Sequence, residues 1–91
     1  LLTHGHVDHI AGCDWMKRRY PRVPQMIGAG DARMLGDPFL NLSALGGVPV
    51  TAPPADVLLQ DGQVVEAIGV KFEVRAIPGH SPGHIAFIWH E

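Results

Sequence analysis

The chain has 91 residues, 46 % of them hydrophobic, and a formal net charge of −2. That apolar share suits one globular unit, and the mild negative charge argues against nucleic acid or an anionic membrane as the main partner. No apolar run approaches the length of a transmembrane helix, and the single Cys13 excludes an internal disulfide and fits a reducing, cytoplasmic compartment.

Leu1 to Thr3 reads as the tail of a buried strand, and the chain stops at Trp89-His90-Glu91, at the end of another apolar strand. Neither end carries a linker or cap. Residues 1–91 are therefore expected to form a single partial domain, truncated at both ends. After Thr3 comes His4-Gly5-His6-Val7-Asp8-His9. In an extended segment, side chains at i and i+2 project to the same side, roughly 6–7 Å apart along the backbone. His4 and His6 can thus converge on one metal ion. Asp8 and His9 follow where the chain turns and can reach a second ion. Imidazole and carboxylate serve zinc, iron or manganese.

Ile10 to Tyr20 reads as a short helix with Ala11, Trp15 and Met16 on one face and Pro21 as its stop. Lys17, Arg18 and Arg19 fall in its last turn, where positive charge suits the helix dipole. Val23 to Ile27 reads as a strand that ends in Gly28-Ala29-Gly30, whose spacing matches no dinucleotide or phosphate-loop fingerprint. Asp31 is placed as the N-cap of a helix over Ala32 to Leu35. Gly36 to Pro54 reads as irregular chain with one helical turn around Leu40 to Leu45. Val57 to Leu59, Gln63 to Ala67 and Val70 to Ile77 read as strands, with turns at Asp61-Gly62 and Gly69. Val70, Phe72, Val74 and Ala76 alternate with Lys71, Glu73 and Arg75, which predicts one buried and one wet face. Ile85 to Trp89 reads as a more fully buried strand.

A second histidine cluster lies between the last two strands, in Ile77-Pro78-Gly79-His80-Ser81-Pro82-Gly83-His84-Ile85. Restricted backbone on both sides fixes His80 at a strand's carboxyl end. It supplies the third imidazole that His4 and His6 lack. His84 reads as a partner that orients a ligand, or as packing, in place of a ligand itself. Ser81 reads as shaping the turn, and the terminal His90 as a surface residue.

Thr3-His4-Gly5-His6-Val7-Asp8-His9 followed by Pro78-Gly79-His80-Ser81-Pro82-Gly83-His84 resembles the metallo-β-lactamase superfamily, and within it the glyoxalase II-like metallo-hydrolases. The likeness runs over essentially the whole chain, with softer matches at Asp37-Pro38, Asn41-Leu42-Ser43, Pro53-Pro54-Ala55-Asp56 and Asp61-Gly62. It implies an α/β fold, part of a four-layer αββα sandwich with metals at one edge. Carried over by position, His4, His6 and His80 would hold a first metal, and Asp8 and His9 a second. His9 sets the motif apart from the commonest zinc β-lactamases, and His6 from the flavodiiron branch. The family's bridging aspartate and last histidine have no counterpart here. Asp14, Asp31, Asp37, Asp56 and Asp61 stand in the wrong places to substitute, so this stretch alone is expected to be inactive or nearly so.

The resemblance further implies two divalent ions, zinc first and iron or manganese as alternatives. They would activate a water against the acyl carbon of a small-molecule thioester or ester, as for hydroxyacylglutathione, with Asp8 orienting the nucleophile. Neither Ser81 nor Cys13 is needed as a nucleophile. The rival readings are a mononuclear-iron persulfide dioxygenase, a lactonase or other small-ester hydrolase, and a non-catalytic metal-binding module.

Overall fold

The computed structural model describes residues 1–89. Its elements run α1 (Val7–Ile10), α2 (Cys13–Arg19), β1 (Met26–Gly28), a 3-10 helix over Ala29–Gly36, a second over Ala44–Gly46, β2 (Val57–Leu59), β3 (Val64–Ala67), β4 (Val70–Ala76) and β5 (Ile85–Trp89). The strands form two sheets. β1 and β2 pair in parallel, with Met26 opposite Val57, and β3-β4-β5 form an antiparallel meander.

Strand alternation builds two cores from the β1–β2 sheet. Ile27 points to one face, where it packs with Ile10, Leu35 and Ala52 beneath the helices. Met26, Val57 and Leu59 point to the other, where they meet Val65, Val74 and Ile85 of the meander. Helices, small sheet and meander thus stack as three successive layers. This mixed α/β arrangement covers part of the expected sandwich.

Several local expectations are corrected. Leu1 to Thr3 is not a regular strand, although Leu2 N–H donates to Met26 and Thr3 C=O accepts from Ile85. The segment still lies between β1 and β5, and this is what brings the two histidine motifs together. The single helix over Ile10 to Tyr20 is two helices, α1 opening inside the metal motif and α2 after Gly12. Trp15 and Met16 are exposed on α2, because among the described residues no element covers that face. Met16 and Cys13 instead line an open groove of about 330 Å³. The strand expected at Val23 begins at Met26.

Asp31 sits within the first 3-10 helix instead of capping one, since its carboxylate is engaged elsewhere. The turn expected over Leu40 to Leu45 is a 3-10 helix at Ala44–Gly46. β5 is buried fully only at Ile85 and opens progressively to Trp89. On β4 Val74 is buried as expected, while Ala76 at the strand's end is exposed. The hairpin between β3 and β4 turns through Ile68 and Gly69, both at positive φ, the combination a two-residue type I′ turn requires. His90 lies outside the described residues.

Candidate metal centre

The first motif leaves its extended segment at Thr3 and enters α1 at Val7, with His6 extended as the N-cap residue. Two backbone bonds anchor that entry: Val7 N–H donates to Asn41 C=O, and His9 N–H to His6 C=O. The second motif is the loop joining β4 to β5, closed at its base by the Ile77 N–H bond to His84 C=O. Ile85 N–H then donates to Thr3 C=O at 2.9 Å, so the backbone flanking one motif is bonded to the backbone flanking the other.

This stitching gathers His4, His6 and His80. One ring nitrogen from each lies within 4.8 Å of the others. His6 Nδ1 and His80 Nε2 are 3.0 Å apart. Two ligand nitrogens on a tetrahedral zinc, each at about 2.0–2.1 Å, stand roughly 3.3 Å apart. His4 Nδ1 is 2.9 Å from the Thr3 hydroxyl, an outer contact of the kind that orients a metal-binding imidazole. His4 Nε2 is buried without a hydrogen-bond partner among the described residues. A buried polar nitrogen left unpaired is costly, and a metal ion held with the other two rings would satisfy it. Burial, followed by the nearby His9, His84, His6 and His80, pushes the His4 imidazole down to about 4. Near neutral pH the ring is therefore uncharged and offers a lone pair. The donor set fits a metal ion.

His4, Asp8 and His9 form a second donor group by the same 4.8 Å measure. It differs in exposure: the Asp8 and His9 side chains are 76 % and 43 % open to solvent, with Asp8 Oδ2 3.5 Å from His9 Nε2. The His4 and His9 rings meet at a tilt of 50° with centroids 3.9 Å apart. His84 packs its ring 4.4 Å from that of His4 and stands outside both donor groups.

Sequence reasoning missed two supports. Asn41 is fully buried. Its side-chain amide donates to Met34 and Val50 C=O and accepts from Ser43 N–H, which fixes the loop whose carbonyl anchors Val7. Asp31 is also fully buried. Its Oδ2 accepts from Gly5 N–H at 3.0 Å and from the Ser81 hydroxyl at 2.6 Å, and its Oδ1 accepts from Gly83 N–H at 2.6 Å. Ser81 therefore does more than shape its turn.

A family model described as the metallo-beta-lactamase superfamily matches residues 1–91. The chain belongs to the metallo-β-lactamase superfamily. Hydroxyacylglutathione hydrolase GloC of Haemophilus influenzae is 34 % identical, over 100 % of this chain and 43 % of that protein. Among solved structures, the BLEG-1 B3 metallo-β-lactamase superposes with a TM-score of 0.88 at 35 % identity, covering 96 % of this chain and 42 % of that one. A second, TTHA1623 in a di-iron-bound form, gives a TM-score of 0.70 at 31 % identity, covering 94 % of this chain and 41 % of that one. The chain spans about a quarter to two fifths of the length of the curated relatives it matches. The expected superfamily and partial fold are therefore found, and the relatives carry the names of metallo-hydrolases. No helix among the described residues is long and apolar enough to cross a membrane.

Proposed function

We infer that the whole protein containing this chain hydrolyses a small-molecule thioester or ester, of the hydroxyacylglutathione type, at a site holding two divalent ions. The observation that carries the reading is the pair of donor groups sharing His4: His4, His6 and His80 on one side, and His4, Asp8 and His9 on the other. In this reading His4, His6 and His80 hold the first ion, and Asp8 and His9 contribute to the second. The relatives named hydroxyacylglutathione hydrolase support the choice of acyl bond. Zinc is the first candidate, and the iron of one structural neighbour keeps iron beside it.

When bound, two such ions supply an activated water and polarise the acyl carbonyl. The protein's own residues do the rest. The buried His4 and His6 rings hold fixed directions, with Thr3 orienting His4. Asp8, open to solvent beside His9, orients the attacking water and accepts a hydrogen bond from it. The exposure of Asp8, His9 and His80 leaves that side of the centre accessible to a substrate.

A second reading, hydrolysis of a β-lactam amide, is favoured by the close superposition on the BLEG-1 enzyme. Both are tested on the metal-loaded whole protein, with a hydroxyacylglutathione, a simple lactone and a β-lactam assayed side by side. Preferential thioester cleavage that His6→Ala abolishes supports the favoured reading. Preferential β-lactam or lactone cleavage replaces it. Oxygen uptake with a persulfide, and no hydrolysis, moves the assignment to a dioxygenase.

A further inference from the structure

We propose that Asp31 is a positioning residue for the metal centre, a clamp that sets the spacing between the loop carrying His80 and the loop carrying His4 and His6. The proposal rests on the metal-centre reading above. Gly5 lies between His4 and His6, and Ser81 follows His80 directly. One carboxylate, fully buried, thus grips the residue next to each of the three imidazoles, and Gly83 as well. Its three partners are uncharged donors. A buried carboxylate is tolerable only where hydrogen bonds replace water, so losing any one partner loosens a group with no solvent to fall back on.

The chemistry requires an acceptor at both oxygens. In an asparagine at this position, one end of the amide carries N–H bonds. Placed at Oδ2, that end would face the Gly5 N–H; placed at Oδ1, it would face the Gly83 N–H. Neither orientation accepts from all three donors. The surrounding backbone is equally exacting. A Cβ at Gly83 would fall 2.5 Å from the Gly30 carbonyl carbon and closer still to the Asp31 nitrogen, and a Cβ at Gly5 would fall 2.6 Å from Met34 Cβ. The chain before Asp31 and the chain after His80 therefore cross backbone to backbone, with no side-chain layer to absorb a shift. A displacement at Ser81 passes directly to His80, whose Nε2 stands 3.0 Å from His6 Nδ1.

The test uses the whole protein with cobalt as the probe. It reads affinity by competition with a chelator, the visible d–d spectrum at saturation, and melting temperature. The variants are Ser81→Ala, Asp31→Asn, Ser81→Thr and, as a control in the other core, Leu59→Ala. We expect Ser81→Ala and Asp31→Asn to weaken cobalt binding about 10–100-fold, the range for groups that orient ligands, and to alter the d–d spectrum. Ser81→Thr, which keeps the hydroxyl, restores both. Leu59→Ala lowers melting temperature and leaves affinity and spectrum unchanged. Ser81→Ala with unaltered affinity and spectrum overturns the clamp, as does a pattern matching that of Leu59→Ala. Failure of the unmodified protein to take up cobalt overturns the metal-centre reading instead.

Discussion

The two donor groups share His4 but are held in different ways. His4 and His6 are 4 % and 8 % exposed, and His80 joins them across a crossing of two backbones tied by Asp31. Asp8 and His9 ride instead on the four-residue helix α1, open to water, beside each other and the His4 ring. The first group is built by contacts between residues far apart in sequence, the second by local chain direction. The difference teaches which half is preorganised: the burial of His4 and His6 and the fixed backbone crossing that carries the exposed His80 set the three-histidine group before any ion arrives, whereas the Asp8–His9 pair has solvent as its alternative partner.

Removing a proposed ligand from the preorganised half carries the largest expected effect. His6→Ala in the whole protein is expected to lose more metal affinity than the roughly 10–100-fold typical of an outer partner, and hydrolytic activity with it. Metal analysis after dialysis and a turnover assay check this together; full activity after full metal loss would break the proposed mechanism. Asp8→Ala touches the open half. We expect it to lose about one of two ions, with the three-histidine group still loaded, and activity to fall sharply. Loss of both ions at once would show that the two groups are not held independently.

Away from the centre, Leu59→Ala opens the core between the sheets and is expected to cost about 2–5 kcal/mol of stability, measured by denaturant unfolding, with metal affinity retained. The smallest effect concerns Asp56, whose carboxyl is held below the usual range by the Gln25 N–H and by Lys17. A carboxyl lowered by folding contributes stability above its ordinary value and loses it as pH falls through the folded one. Asp56→Asn should therefore melt lower than the unmodified protein near neutrality, with the difference closing between about pH 4 and the more acid folded value. A constant gap across that range would contradict it.

The candidate donor cluster was legible because its residues are concentrated. His4, His6, Asp8 and His9 fall within six residues, and the Pro-Gly punctuation around His80 marks a constrained loop. β2 and β5 were legible in their bounds for a similar reason, being short apolar runs between turn residues. Asp31 was not. Its partners lie 26, 50 and 52 residues away, and an aspartate after a glycine reads locally as a helix cap. The break between α1 and α2 was hidden because Ala11 and Gly12 continue an apolar spacing that one helix would also satisfy. Trp15 and Met16 supplied a face to that helix without supplying what it packs against.

Elemental analysis of the whole protein, purified without added metal, tests the central claim most directly. The account predicts about two divalent ions per chain, falling to about one or fewer in His6→Ala. A protein that holds no metal, or holds it undiminished in His6→Ala, would contradict it.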